Sequence, residues 1–351
     1  MKLGINLGYS GRHLRIPIKL IQEAEQMGFD SVWTAEAYGS DALTPLAWMG
    51  AQTTKIKLAS GIVQMSARTP AATAMAAITI DQMCPGRMVL GLGASGPQVV
   101  EGWYGMPYRR PLARTREYVH ILREIFKRER PLIHEGKQYQ IPYHGQKSTG
   151  LGKPLKSILH SRPDIPIVIG AEGPKNIEQT AEIADGWLAM LFSPLHFDKV
   201  YQPMIEAGFS KAGNGKSYDD FAIHVGVPVM IGGDIDACRD HMRPFLALYI
   251  GGMGSKDKNF HKNVVCRYGY QAEADEIQRL YLAGKKREAA AAVPSQLIDE
   301  MCLVGTKEHI RDQLAVWKSC KPISTLLLTV NVPDPAMALN TLRTIAELVQ
   351  A

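Results

Sequence analysis

Eight short apolar runs, each followed by a stretch with the spacing of an amphipathic helix, limit most strongly how this chain folds. The runs cover residues 3–7, 31–34, 57–63, 87–92, 167–169, 186–191, 224–231 and 325–330. Strands that alternate with helices are typical of a parallel sheet, and eight such units close a (β/α)8 TIM barrel. An open doubly wound sheet is the alternative. It is disfavoured because the first strand-to-helix turn, residues 8–11, lacks the G-x-G-x-x-G pattern.

The chain is longer than such a barrel requires. A TIM barrel takes about 250 residues, whereas this chain has 351. The surplus falls in residues 129–164 and 251–306, and the second of these segments has helical patterns at 271–283 and 295–302. We therefore predict one α/β barrel domain over residues 1–351, with both segments inserted at the carboxyl face.

Composition excludes several classes of protein. No run of eighteen apolar residues occurs and the first residues already resemble a strand, so we expect a cytoplasmic protein without a membrane span. The five cysteines are scattered and the ten histidines show no metal-binding spacing, which indicates free thiols and no metal site. Residues 109–130 hold eight basic and three acidic side chains. They form either a solvated helix face or a patch near an acidic ligand, and no nucleic-acid motif accompanies them.

Two of the apolar runs end in the same five-residue pattern, Gly-Ala-x-Gly-Pro. Glycine lets a ligand approach the backbone closely, and proline fits the first turn of a helix. Bare amides at such a helix start bind phosphate, helped by the helix dipole. The residues that we expect to line a cofactor here are Gly93, Ala94, Ser95 and Gly96 after the fourth run, and Gly170, Ala171, Glu172, Gly173, Pro174, Lys175 and Asn176 after the fifth.

The second loop carries the sharper prediction. The amides of Gly173, Lys175 and Asn176 would point out of the helix start, and Lys175 would add a positive charge. A carboxylate beside phosphate is unfavourable, so we expect the Glu172 side chain to turn toward solvent or toward Lys175. Ordinary turn chemistry is the alternative for either loop, because glycine and proline punctuate loops in general.

Polar side chains also follow the second and third runs. Glu36 lies where a barrel places catalytic groups, and a carboxylate in a dry site can act as a general acid or base. The alternative is a structural carboxylate that caps a loop amide. Gln64 and Ser66 follow the third run and are candidates for contact with a ligand. Weaker candidates for the same mouth are Tyr9, Ser10, His13 and Tyr38.

In their order along the chain, these segments resemble the bacterial luciferase-like superfamily. The resemblance is carried by MKLGINLGY, GFDSVWTAEAYG, GIVQMSARTP, RMVLGLGASGPQVVEGW, IGAEGPKNIEQTAEIADGW and VGTKEHIRDQL. It is greatest for the coenzyme F420-dependent oxidoreductases, including enzymes similar to methylenetetrahydromethanopterin reductase and to F420-dependent glucose-6-phosphate dehydrogenase. The resemblance implies hydride transfer between reduced deazaflavin and an organic substrate, which it does not identify.

The resemblance also implies how the site is arranged. Loop 170–176 takes the cofactor phosphate, and loop 93–99 lines the deazaflavin ring. Gln64 and Ser66 bond the polar edge of that ring. A cis bond that does not precede proline is common in the third strand of this family, and the matching pair here is Val63 and Gln64.

Departures from the family pattern leave the chemistry open. Ala35 and Glu36 stand where the sugar-phosphate branch has Asp-His, which disfavours glucose 6-phosphate; we place Ala35 in the cofactor site and the proton route on Glu36. An FMN-dependent monooxygenase that uses reduced FMN and oxygen is the first alternative. A non-catalytic barrel that binds flavin or deazaflavin is the second. The family implies a homodimer or higher homo-oligomer, and the basic stretch 109–130 would attract the cofactor's polyglutamate tail.

Overall fold

The computed structural model describes residues 1–8, 10–254 and 256–350. Its strands are β1 (Lys2–Gly8), β2 (Ser31–Thr34), β3 (Lys57–Ser60), β4 (Val63–Gln64), β5 (Met88–Gly93), β6 (His134–Glu135), β7 (Gln140–Ile141), β8 (Ile167–Gly170), β9 (Gly186–Ala189), β10 (Ala222–Ile231), β11 (Leu303–Gly305) and β12 (Ile323–Val330). Eight of them form a closed parallel ring in the order β1, β2, β3, β5, β8, β9, β10, β12 and back to β1. The predicted TIM barrel is confirmed.

Helices surround the ring. They are α1 (Ile18–Gln26), α2 (Leu43–Gly50), α3 (Pro70–Met83), α4 (Pro97–Gly102), α5 (Pro111–Lys127), α6 (Pro174–Ile183), α7 (Gln202–Ala212), α8 (Ile235–Ala247), α9 (Phe260–Arg267), α10 (Gln271–Leu282), α11 (Lys286–Ala291), α12 (Ser295–Met301), α13 (Lys307–Ser319) and α14 (Pro335–Gln350). Side-chain caps fix several starts, as where Thr69 accepts from the Ala72 amide before Pro70. No helix in the described ranges is long and apolar enough to cross a bilayer.

The core has two parts. A small cluster joins side chains from five different ring strands, so it fills the interior of the barrel; it consists of Trp33, Ala59, Val89, Val168 and Leu327. A much larger cluster lies between the ring and the surrounding helices. All five cysteines are free, and three of them are buried.

The two surplus segments differ in structure. Within residues 129–164, regular structure is confined to the short antiparallel pair β6 and β7. The segment 251–306 contains α9 to α12, but its last residues form β11, which pairs in parallel with the carboxyl half of β10. The second segment is therefore partly an extension of the barrel sheet and not wholly an insertion over its mouth. That the chain forms one domain stays a prediction.

A histidine inside the ring makes stability depend on pH. His224 of β10 packs against Trp33, with 4.9 Å between the ring centroids. Burial lowers the pKa of His224 to about 4, with Lys57 and Lys2 adding to the effect and Asp30 opposing it. The unfolded chain, with a histidine pKa of about 6.5, therefore takes up this proton before the folded chain does.

We expect the free energy of unfolding to fall by about 1 to 3 kcal/mol as the pH drops from about 6.5 to about 4. The contribution is fully present above the unfolded pKa and is lost toward the folded one. Denaturant unfolding at several pH values measures the slope. His224→Gln should flatten that slope over this window; an equal slope in the variant would assign it to other groups.

Candidate active site

The two glycine-rich loops lie side by side at the carboxyl end of the ring. Strands β5 and β8 pair in parallel, and Gly93 stands opposite Gly170 in the register. Each loop then starts a helix in the same way, with an extended glycine as N-cap and proline in the first turn: Gly96 before α4, and Gly173 before α6. Neither helix start has a side-chain cap. The repeated sequence pattern therefore corresponds to two adjacent loops that begin their helices in the same way.

The first glycine of each loop accommodates the protein itself. A Cβ on Gly93 would lie 2.7 Å from Cδ1 of Ile62, and one on Gly170 would lie 3.1 Å from Cγ2 of the same residue. Ile62 thus packs onto both strands where they lack side chains. Neither glycine has a positive φ; in the first loop that conformation falls on Ser95, at φ 57°. Close approach by a ligand is therefore not what requires glycine at 93 and 170.

The second glycine of the 170–176 loop does leave open space. A Cβ on Gly173 would meet no heavy atom within 4 Å, and Lys175 is exposed in the first turn of α6. The Asn176 amide, however, donates to the Gly173 carbonyl at 2.9 Å. The prediction of three free amides is therefore wrong for Asn176, because the first turn tightens onto its own N-cap. The amides of Gly173 and Lys175 carry no such bond in the described residues.

The sequence predicts that the Glu172 side chain turns toward solvent or toward Lys175, but in the structure it does neither. Its Oε1 lies 2.7 Å from Nδ1 of His261, and its backbone carbonyl accepts from Nη2 of Arg267 at 2.7 Å. Both partners lie on α9, in the segment 251–306. That segment therefore contacts the loop directly and draws the carboxylate away from the helix start.

Glu36, at the exit of β2, is enclosed by hydrogen-bond donors. Its Oε1 accepts from the Gln64 amide at 2.8 Å and from Nη1 of Arg68 at 2.6 Å, and its Oε2 accepts from the Ala42 amide at 3.1 Å. Burial is the largest single influence on Arg68 and lowers the pKa of its guanidinium, but the hydrogen bond to Glu36 and the charges of Glu36 and Asp41 together outweigh burial and raise that pKa. These contacts favour the structural alternative over a proton route.

Replacing Glu36 with glutamine tests this interpretation. The amide leaves Arg68 without its counterion and cannot accept from every donor, so the free energy of unfolding should fall by about 2 to 4 kcal/mol. Thermal and denaturant unfolding measure the change. Glu347→Gln, at an exposed carboxylate paired with Lys307, is the matched control and should cost less than about 1 kcal/mol. Unchanged stability with an altered pH profile of turnover would favour the proton route instead.

The cis peptide bond that does not precede proline lies two residues before the predicted position. It joins Gly61 and Ile62, so its assignment to Val63 and Gln64 is wrong. Those two residues form β4 and pair with β5 in a regular parallel register, which holds them in extended backbone. Val63 is also fully buried in the outer core, so its side chain packs against the protein.

Two buried side-chain oxygens, in β4 and shortly after it, have no hydrogen-bond partner. Gln64 is 2% exposed; its Nε2 donates to the Glu36 carbonyl at 3.0 Å, while its Oε1 has no hydrogen bond. The Oγ of Ser66 is buried and equally without a partner. Buried polar atoms of this kind are rare in folded proteins. The two oxygens therefore fit the polar edge of a bound ligand. Ala35 directly precedes Glu36 in the chain, and its amide donates to the Gly8 carbonyl at 2.9 Å.

A small cavity connects Ser66 and Ala94 to the basic stretch. Its empty volume is about 250 Å³, and Arg109 and Arg114 line it together with Tyr108, whose pKa is raised by burial. The later part of the stretch forms salt bridges instead, with Arg116, Arg123, Lys127 and Arg130 paired to Glu182, Asp185 and Glu124. Each of the two interpretations of the stretch thus fits one part of it.

A second and larger cavity lies over the carboxyl ends of β1, β9, β10 and β12. Its empty volume is about 620 Å³, part of it open to solvent, and no charged residue of the described chain lines it. Its polar groups include Asn6 and Thr329, joined by a hydrogen bond of 3.0 Å from Nδ2 to Oγ1. Sequence reasoning missed both. The available signal was a polar residue near the carboxyl end of an apolar strand.

Three of the weaker candidates, Ser10, His13 and Tyr38, do not line this cavity. Tyr38 is 63% exposed and His13 is exposed. The hydroxyl of Ser10 accepts from the Ser40 amide at 3.1 Å and thereby holds a loop. Tyr9 lies outside the described residues.

The ring, the paired loops and the cavities define a TIM barrel whose candidate site lies at the carboxyl end of its strands, where barrels of this class carry their active sites. A family model described as luciferase-like monooxygenase matches residues 3–320. The chain belongs to this family, as the resemblance of its motifs suggested.

Named relatives narrow the comparison. The chain is 49% identical over 321 residues to a Mycobacterium tuberculosis protein named "Putative coenzyme F420-dependent oxidoreductase", covering 91% of this chain and 92% of the relative. Among solved structures it resembles the coenzyme F420-dependent tetrahydromethanopterin reductase of Methanopyrus kandleri, with a TM-score of 0.79 at 23% identity, covering 99% and 97%. A type II Baeyer–Villiger monooxygenase from Pseudomonas putida in complex with FMN shares the fold, with a TM-score of 0.68 at 19% identity, covering 99% and 98%.

Proposed function

We propose that this chain is a coenzyme F420-dependent oxidoreductase that transfers a hydride between the deazaflavin and an organic substrate. The observation that carries the proposal is the pair of loops in register at Gly93 and Gly170, next to the unpartnered oxygens of Gln64 and Ser66. The name of the 49% identical relative supports a deazaflavin as the cofactor.

The chain's own residues suit each part of such a cofactor. The amides of Gly173 and Lys175, with the positive end of α6, would bind its phosphate. Gln64 and Ser66 would bond the polar edge of the ring. When bound, the deazaflavin supplies or accepts a hydride at a ring carbon. The protein then has to hold the substrate carbon within about 3 to 3.5 Å of that position.

The larger of the two cavities, which none of the residues of the two loops lines, would receive the reacting end of the substrate. Its walls are uncharged and largely apolar, so they disfavour water beside the reacting atoms and strengthen the polar contacts there. Glu36 would act as a positioning residue, because its carboxylate ties Arg68 and the Gln64 amide together.

Separate titrations with coenzyme F420 and with FMN test the proposal. We expect the purified chain to bind F420 with a Kd in the micromolar range or below and to bind FMN more weakly. Binding of FMN without F420 would favour the monooxygenase alternative. Rapid mixing of the reduced complex with a panel of organic acceptors then measures hydride transfer from the absorbance of the deazaflavin. Tight binding without turnover for any acceptor would indicate the non-catalytic barrel.

We further propose that the chain forms a homodimer or a higher homo-oligomer. Large apolar side chains stand exposed on the adjacent helices α2 and α3: Trp48 at 57%, Met75 at 63% and Met83 at 57%. Exposed apolar patches commonly mark protein interfaces. Light scattering after size exclusion should give at least twice the mass of one chain, and Trp48→Glu should lower it. A monomeric wild-type chain would contradict the proposal.

A further inference from the structure

An arginine of the segment 251–306 reaches the 170–176 loop. Arg267 is the last residue of α9, and its Nη2 donates to the Glu172 carbonyl at 2.7 Å. That carbonyl is part of the peptide bond that joins Glu172 to Gly173, the N-cap of α6. The guanidinium therefore lies beside the start of α6.

The guanidinium of Arg267 lacks the partners that a half-buried cation needs. Its Nε is buried without a hydrogen bond, and no salt bridge joins it to a carboxylate in the described part of the chain. The acidic side chain of the same loop, Glu172, is directed to His261. A buried charge without a counterion is costly, and its N–H groups normally find acceptors.

The groups packed around Arg267 do not supply the missing charge. Tyr201 and Tyr268 share a short hydrogen bond between their hydroxyls and feel the charge of Arg267. Burial raises the pKa of both phenols well above their usual range. Both phenols are therefore neutral near pH 7 and supply no counterion to the guanidinium. The carboxylate that also acts on Tyr201, Glu172, lies against His261.

We propose that Arg267 is a further binding residue for the phosphate group of the cofactor, acting together with the amides of Gly173 and Lys175. This inference rests on the proposed function. A guanidinium offers several donors in a planar fork that matches phosphate oxygens. The anion supplies both the counterion and the acceptor that Arg267 lacks. His261 contributes by holding the Glu172 carboxylate away from the incoming negative charge.

Pairs of ligands with and without phosphate test the proposal. One pair is coenzyme F420 and its phosphate-free deazaflavin precursor, the ring with its ribityl chain; the other is FMN and riboflavin. Arg267→Gln should weaken binding of the phosphate-bearing ligand about 10- to 100-fold and leave binding of its phosphate-free partner unchanged. Arg267→Lys, which keeps the charge, should lose less. Arg279→Gln, at an exposed arginine paired with Glu276, is the matched control.

The outcomes separate this proposal from the proposed function. If the wild-type chain binds FMN but not F420, the F420 function fails, and the FMN and riboflavin pair still decides the role of Arg267. Equal losses for both members of a pair would assign Arg267 a purely structural role, through its bond to the Glu172 carbonyl, and overturn the inference. So would unchanged affinity in Arg267→Gln, or a wild-type chain that binds neither phosphate-bearing ligand.

Discussion

Replacing Gly91 with alanine is expected to prevent stable folding of the barrel. Gly91 lies within β5, and a Cβ there would stand 1.8 Å from the backbone oxygen of Ser60 and 2.9 Å from its carbonyl carbon. Both atoms belong to the backbone, so no side chain can rotate away. The ring must open at the β3–β5 seam, at a cost of more than about 4 kcal/mol. Soluble yield, circular dichroism and denaturant unfolding measure the effect.

Hydrogen bonds between β3 and β5 oppose the local movement that would relieve this clash. The hydroxyl of Ser60 donates to the Gly91 carbonyl at 2.9 Å and accepts from the Gly91 amide at 2.8 Å. Moving β5 away breaks both bonds. Gly226→Ala in β10 is the matched control, because its Cβ would find its nearest neighbour at 3.8 Å, and it should change stability by less than about 1 kcal/mol. A Gly91→Ala variant as stable as this control would contradict the expected clash.

The ring was predictable because each of its strands is an apolar run long enough to be seen in the sequence. Strands β4 and β11 were not, since they contain two and three residues and exist only through their pairing with β5 and β10. The cis bond was misplaced for a related reason. Its position depends on where the chain leaves β3, and the sequence 61–64 does not mark that point.

The candidate site likewise has features that the sequence predicts and features that it does not. The repeated Gly-Ala-x-Gly-Pro pattern located two loops that the structure places in register, because the signal was local. The partners of their residues were not predictable. The side chain of Ile62 explains why positions 93 and 170 are glycine. Arg267 of α9, which contacts Glu172, lies 95 residues further along the chain. Contacts of this kind are set by the closure of the barrel and leave no trace in local sequence.

Combining Gly173→Val with Lys175→Ala is expected to weaken cofactor binding about 100-fold while the fold is retained, because two contacts to phosphate are lost together. Valine is compatible with the backbone of Gly173, which is extended at φ −76° and ψ 146°, and its Cβ enters empty space. The new side chain would occupy the open space beside the Gly173 backbone. Removal of Lys175 takes away an exposed positive charge at the same helix start.

Titration with F420 measures the loss, and the melting temperature reports on the fold. Gly102→Val combined with Lys285→Ala is the matched control, because a Cβ on Gly102 also meets no atom within 4 Å and Lys285 is also exposed. The control should leave the Kd within about twofold of wild type, since neither residue belongs to the two loops. If the test variant binds F420 as tightly as the control, the amides at the start of α6 do not hold the phosphate. The cofactor would then have to be anchored elsewhere, and the small cavity lined by Arg109 and Arg114 offers the next cluster of positive charge.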